Sequence, residues 1–419
     1  MQEREGKNIV VCCDGTGNEI GENISNVLKL YRVTRKTGKV ARQVVFYDPG
    51  VGTLARPNPW TRLQQNTVMV LGLAAGYGLD DNVLSAYRFL IQNYEEGDDI
   101  FLFGFSRGAY TVRVLAALIH KLGVLAPQQN NLADAGLTAY KQASAAAVEQ
   151  EEREARRDGV EDEAGAKSRD DRAWQFARIA STRWATIRFL GVWDTVASVI
   201  VPRPDRFYAF SLEKLAFSRL NPSVRVFRQA NAIDERRRMF RLEPWDDPQT
   251  FMHNRFSTTN NADPQDIRQV WFASVHSDIG GGYPEKESGL SKYPLLWMIG
   301  EAKKFGLAVD TQTVNQLAWG VQRKNSPFSY VAPSVAPEPH DSMNAGWRVL
   351  EWLPKADKYK EWTRRHSFLG HYIPNSEPRV IPPGAFVHES VIERMKTRSD
   401  YRPVNLPDDR QIVPMPVRE

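Results

Sequence analysis

DDIFLFGFSRGAYTVRVLAALI, residues 98–119, carries an apolar run into a glycine, then a serine fenced by a second glycine, then a helix-like pattern. A tight turn built from small residues would account for the glycines. So would a nucleophile held out at the tip of that turn. Gly104-Phe105-Ser106-Arg107-Gly108 fits the G-x-S-x-G pattern of a strand-to-helix nucleophile elbow. The physics is local: the serine needs a strained turn so that its hydroxyl stands clear of the sheet, and a side chain at either glycine would strike neighbouring backbone. Five letters alone match by chance in many long chains. Here they follow the strand-like IFLFG and open the helix-like AYTVRVLAALI, the context the mechanism demands, so Ser106 is expected to be catalytic.

Working outward, KNIVVCCDGTGNE (7–19) reads as a buried strand ending in a glycine-rich loop. SNVLKLYRVT (25–34) reads as a helix capped by Ser25 or Asn26. RQVVFYDPGVGT (42–53) reads as a second strand and a loop, and residues 80–94 have helical periodicity. This alternation predicts a mainly parallel sheet with helices on both faces, and the elbow pattern at Ser106 makes the expected fold α/β-hydrolase-like. Downstream, WATIRFLGVWDTVAS (184–198) and DIRQVWFASVHSDIGGGY (266–283) are two further strands ending in polar clusters. Between them NAIDERRRMFRLEPW (231–245) reads as a helix running into a loop, with Arg236-Arg237-Arg238 on one of its faces. Residues 144–172 hold 10 acidic and 6 basic residues without apolar periodicity, which fits a solvated helix or mobile insertion better than a lid. The expected organisation is a core over 7–300 containing this charged insertion, with a C-terminal extension, 301–419, packed on it.

Composition excludes several classes. The 55 basic and 50 acidic residues nearly balance, and no dense basic run interleaved with aromatics appears, so no nucleic-acid partner is expected. The two cysteines, Cys12 and Cys13, are adjacent within an apolar run and read as reduced, buried strand residues. The charged start MQEREGKNIVV has no secretory h-region, and TVMVLGLAAGYGL (67–79) is too short and glycine-broken to span a membrane. A chain made in the cytoplasm is expected, with export left to a dedicated secretion machine. Gly72, Gly76 and Gly78 do not fit the dinucleotide-binding spacing. DGT ends a known phosphatase motif, but the position of its catalytic aspartate is Cys12 here, so that reading lacks its nucleophile.

A serine hydroxyl needs a base, and the base needs an orienting acid, which in this fold follow in the order Ser, acid, His. Of seven histidines, His276 sits just past the strand-like QVWFASV, at the C-terminal end where α/β enzymes place reactive groups. His388 is second choice. His120 falls inside a helix, His253 has no strand before it, and His340, His366 and His371 lie in the poorly patterned tail. Asp194 ends an apolar strand between Ser106 and His276, while Asp234, Asp246, Asp247 and Asp278 compete with it. Oxyanion donors are expected from the backbone of Arg107 and from Gly15 or Thr16 in the loop after the first strand. Asp14, Asn18 and Asp278 are candidates for holding loops in shape. No metal or cofactor is required, although a cation near Asp14 or Asp278 would fit.

CDGTGN, GFSRGAYTVR, GVWDTV, IDERRRMF, VHSDIGGGY and HESVIERM…YRPVNLP, in order from about Lys7 to Pro407, resemble the α/β-hydrolase family catalogued as domain of unknown function 2235. That family includes phospholipase effectors of bacterial type VI secretion systems. The resemblance implies a Ser-Asp-His triad falling on Ser106, Asp194 and His276, and hydrolysis of ester bonds, glycerophospholipids foremost. It also implies export by a type VI secretion system and, as partners, a lipid substrate, a membrane surface, the secretion apparatus or an immunity protein. VASVIVP (196–202) and FYAFSLEKLAFSRL (207–220) are the apolar candidates for lipid contact. The competing readings are a small-molecule or polymer esterase inside the cell, and a non-catalytic interaction protein on a hydrolase scaffold.

Overall fold

The computed structural model describes residues 6–15, 24–36, 42–50, 78–154, 171–196, 200–201, 211–212, 218–254, 262–343, 345–357, 360–362 and 364–418. Strand β1 (Asn8–Cys13) sends Ile9, Val11 and Cys13 into one apolar cluster and Val10 and Cys12 into another. Period-two side chains that are apolar on both faces belong to a strand covered on both sides. β3 (Asp99–Phe105) does the same, with Ile100 and Leu102 on the first face and Phe101, Phe103 and Phe105 on the second. Cys12 and Cys13 are accordingly buried free thiols on opposite faces.

β2 (Gln43–Asp48), β4 (Ile187–Trp193), β5 (Val226–Ala232), β6 (Asp266–Phe272), β7 (Phe386–His388) and β8 (Gln411–Val413) complete an eight-stranded sheet. Its order is β8-β7-β6-β5-β4-β3-β1-β2, parallel at each pairing. One face is covered by α1 (Asn26–Val33), supplying Val27 and Leu30. The opposite face is covered by α2 (Leu79–Asn93), α3 (Arg107–Leu122), α4 (Ala133–Glu154) and α5 (Asp171–Ile179). The short α6 (His276–Gly280), α7 (Lys292–Lys304) and α8 (Thr311–Leu317) return to the α1 face through Ile279, Met298 and Leu317. The fold is thus α/β-hydrolase-like. From β1 the chain steps outward to β2, then returns to place β3 on the other side of β1. The strand order reverses there, and the carboxyl ends of β1 and β3 flank the crevice where open α/β sheets bind ligands.

Ser25 is the N-cap of α1, its hydroxyl accepting from Leu28 N–H at 3.0 Å. The charged stretch at 144–172 begins as the last turns of α4 and ends as the start of α5, while 155–170 lie outside the described residues. Two findings depart from the sequence reading. Residues 231–245 do not form a helix: β5 runs to Ala232, and turns and bends follow. The arginines there serve separate partners, Arg237 pairing with Glu235 and Arg238 donating to Glu351 and to the Leu350 carbonyl. Second, the extension does more than pack on the core, because β7 and β8 continue the sheet beyond β6. α9 (Glu389–Thr397) follows β7 directly.

Candidate active site

β3 ends at Phe105 and α3 begins at Arg107, leaving Ser106 alone to turn the chain. Its φ of 57° and ψ of −118° lie where L-residues are strained. The flanking glycines are explained by contact. A Cβ at Gly104 would lie 2.4 Å from the Gly108 carbonyl oxygen, and one at Gly108 would lie 2.1 Å from that of Cys13. The end of β1 therefore presses directly on the turn, and Ser106 N–H anchors it by donating to the Trp193 carbonyl at 3.1 Å.

His276 opens α6 after β6, and its Nε2 lies 2.9 Å from Ser106 Oγ. Its Nδ1 lies 2.5 Å from Oδ2 of Asp194, the residue that follows β4. Phe105 and Phe240 pack against the imidazole, one tilted and one edge-on, with ring centroids 4.7 and 4.9 Å away. The His276 backbone N–H donates to Glu235 Oε2 at 3.2 Å, and Glu235 is itself gripped by Arg237. Burial alone would raise the Glu235 carboxyl; hydrogen bonds and charge from Arg237 hold it below the usual range instead.

Asp194 is fully buried and turns the chain at φ 41°. Its Oδ1 accepts from Ala232 N–H at 2.9 Å and from Arg379 Nη1 at 2.6 Å; its Oδ2 accepts from Arg379 Nη2 at 2.9 Å. Burial works to raise this carboxyl, and the Arg379 charge with the His276 hydrogen bond overcomes it, holding Asp194 well below the ordinary carboxylate range. Three side chains from the ends of three different strands thus form one chain of contacts, joined by an arginine from a distant loop. Chemically, this can move a proton from a hydroxyl to an imidazole whose orientation is fixed from behind.

The loop after β1 sits beside the turn. Asp14 accepts from Ser25 Oγ, from Tyr47 OH at 2.8 Å and from Gly15 N–H at 2.7 Å, tying β1, α1 and β2 together. Gly15, one of two choices for an oxyanion donor, has its N–H committed to that carboxylate; Thr16 and Asn18 lie outside the described residues. Arg107 is the first residue of α3, where amides have no intrahelical acceptor. Its guanidinium Nε and Nη2 are buried with no hydrogen-bond partner among the described residues, and burial lowers its pKa to about 10.

The other candidates fall elsewhere. His388 is the N-cap of α9, accepting from Ser390 N–H at 3.2 Å, and stacks on Phe272. Asp278 pairs with His340 at 2.9 Å, whose ring stacks on Tyr283, and so braces the loop after His276. Asp234 accepts from Tyr401 OH, and Asp246 pairs with Arg219. Asp247 precedes Pro248 through a cis peptide bond and has no part in the cluster around Ser106. His120 meets Ser223, and His253 meets Asp263 on an exposed hairpin. Of the two apolar stretches proposed for lipid contact, most residues lie outside the described ones. Among the described residues no helix is long and apolar enough to cross a membrane. Arg379 carried no sequence signal, and Glu235 and Phe240 stood only inside the motif IDERRRMF with no role attached: each is defined by what it meets across the fold.

Comparison with known proteins adds the family. A family model described as the type VI secretion system phospholipase effector Tle1-like catalytic domain matches residues 7–301. An uncharacterized protein of Saccharomyces cerevisiae is 38% identical over 125 residues, 29% of this chain and 18% of that protein. Two solved structures are similar at low identity. An uncharacterized protein from Pseudomonas aeruginosa matches at 18% identity and TM-score 0.35, over 73% of this chain and 46% of its own. The Tle1 effector bound to the VgrG spike of the type VI secretion system matches at 17% identity and TM-score 0.29, over 66% and 51%. The chain spans about a fifth of the yeast relative and about half of each solved chain. With its model matched over most of the length, the chain belongs to the Tle1-like family of type VI secretion phospholipase effectors, whose catalytic domain it carries over residues 7–301.

Proposed function

We propose that this protein is a serine-dependent carboxylic-ester hydrolase that cleaves an acyl ester of a glycerophospholipid. The observation that carries the reading is the unbroken series Ser106 Oγ, His276 and Asp194, spaced at 2.9 and 2.5 Å, at the switch point of a parallel sheet. In the proposed mechanism Ser106 Oγ attacks the acyl carbonyl carbon while His276 Nε2 takes the hydroxyl proton. Asp194 holds the imidazole and balances the imidazolium that forms. The tetrahedral oxyanion lies against the first amides of α3, with Arg107 N–H as donor. Collapse breaks the acyl C–O bond, and His276 passes its proton to the leaving alcohol. Water, deprotonated by the same imidazole, then releases the fatty acid from the acyl-enzyme.

The Arg107 guanidinium, one residue from the nucleophile and with Nε and Nη2 lacking a hydrogen-bond partner among the described residues, favours an anionic substrate such as a phosphodiester lipid over a neutral ester. Delivery by a type VI secretion apparatus, through contact with a VgrG-type spike like that bound by the solved Tle1 effector, is part of the same proposal. The test is hydrolysis of phospholipid vesicles and of a short acyl ester by purified protein, each against Ser106→Ala. Fatty acid released from vesicles by wild type alone supports the phospholipase. Turnover confined to the short ester keeps the triad and moves the function to a small-molecule or polymer esterase. Intact substrates in both arms remove the assigned nucleophile and leave the interaction-protein reading.

A further inference from the structure

We propose that Arg379 is a positioning residue of the active site, fixing Asp194 by a two-pronged ion pair and through it the protonation behaviour of the Ser106–His276 pair. The inference rests on the serine-hydrolase reading and extends it to a residue outside the matched catalytic domain, which ends at 301.

The geometry is that of a fork. Nη1 and Nη2 take one carboxylate oxygen each, and the same two nitrogens donate to the carbonyls of Ala232 and Phe240 at 3.0 and 2.6 Å. Each Asp194 oxygen then has two donors: Oδ1 has Arg379 and Ala232 N–H, Oδ2 has Arg379 and His276. Both side chains are essentially inaccessible, at 1% and 0% exposure. A carboxylate in that position would be costly to keep ionised with only a neutral imidazole beside it, and a guanidinium is the side chain that meets both oxygens at once.

Two consequences follow for the chemistry. The fork leaves the carboxylate plane no freedom to rotate, so the imidazole it holds points Nε2 at Ser106. The guanidinium also sets a fixed positive charge on the far side of the carboxylate that faces the imidazole; without it the carboxylate's charge would act on the imidazole undiminished. Among the described residues, the other charges near His276 are Glu235, which accepts from its backbone N–H and is already paired with Arg237, and Asp278 two residues along, paired with His340; Phe105 and Phe240 pack against the ring. Arg379 is thus the cation in direct contact with the acid among the described residues.

A merely structural Arg379 would anchor its loop to the end of β5 and leave the chemistry alone. The two roles separate in the rate at which a fluorophosphonate labels Ser106, measured against pH on full-length protein. In that reaction a P–O bond forms as P–F breaks, fluoride leaves, and the serine proton passes to His276, so no lipid substrate is involved. In Arg379→Gln the acidic limb of the rate profile is expected to move up by about one pH unit, cutting labelling about tenfold below the limb. Arg379→Lys should return the limb to its wild-type position at a reduced rate, since an ammonium keeps the charge and loses the fork. Circular dichroism gives the folded fraction; should Arg379→Gln be unfolded at the assay temperature, Arg379→Lys decides. A wild-type profile in the Gln variant after that correction, or a wild-type rate at every pH in the Lys variant, overturns the proposal. Wild-type protein that takes no label, or labels equally as Ser106→Ala, overturns the hydrolase reading itself.

Discussion

The residues that announce themselves in the sequence are those whose role is local. Ser106 was legible because strand, turn and helix around it occupy a continuous stretch, and the contacts at Gly104 and Gly108 are the clash that the spacing implied. Asp194 and His276 were legible because each ends an apolar run. Arg379 was not, since it sits in a proline-rich loop 185 positions from its partner. Removing the acid's charge with Asp194→Asn should lower kcat/KM about 10⁴-fold, the loss expected when the imidazole is held in the wrong tautomer. It should also destabilise the fold by about 3–5 kcal/mol, because Arg379 is left as a buried unpaired cation. Ester kinetics and denaturant unfolding check the two parts separately. Arg107→Met tests substrate charge: the ratio of phospholipid to short neutral ester turnover should fall about tenfold, the worth of one charged hydrogen bond. An unchanged ratio would detach the guanidinium from substrate recognition.

Elements were readable where a strand or helix is apolar on its buried side, and β5 is the exception that shows why. Arg228 and Gln229 lie inside it, fully buried, because they have partners across the fold. Arg228 meets Glu301 and Asp266, and Gln229 accepts from Arg113. Polar residues satisfied by distant groups erase the apolar pattern of a central strand. The charged DERRRMF that follows then imitates a helix face. It is instead a loop that docks on the C-terminal residues, with Asp234 accepting from Tyr401 OH at 2.9 Å and Ile233 packed with Val387 and Tyr401. Burial pushes the Asp234 pKa up to about 7, against opposing hydrogen-bond and charge effects from Tyr401, Arg394 and Arg236. A carboxyl raised in the folded state contributes stability fully below its unfolded pKa, near 3.9, and loses it as pH rises through 7. Asp234→Asn removes that loss. The variant should therefore gain on wild type by about 4 kcal/mol between pH 4 and pH 8, read from guanidinium unfolding at both. An unfolding difference that stays constant with pH would mean the carboxyl titrates normally.

At the scale of the whole molecule, the sheet ignores the boundary that composition suggests near residue 300. The sequence places a readable core first and a Pro-, Trp- and His-rich tail after it. The tail was opaque because its strands are three residues long, too short for a period to register. Yet β7 pairs with β6 through Val270–Phe386 and Trp271–Val387, and β8 pairs with β7. Ile381, Val387, Val391 and Tyr401 close a cluster with Ile233, Trp271 and Ala273 that the first 301 residues leave half-built. A chain cut after 301 would lose those four side chains at about 1.5–3 kcal/mol each, and the Arg379 pair at about 3–5 kcal/mol more. It would also bare β6 as an unpaired edge, a template for aggregation. Residues 1–301 expressed alone should accordingly be insoluble or lack a cooperative thermal transition, and should fail to take a fluorophosphonate label at Ser106. A soluble fragment that melts cooperatively and labels at the full-length rate would mean that the matched domain completes its own site, and that Arg379 and the last two strands serve something other than the chemistry.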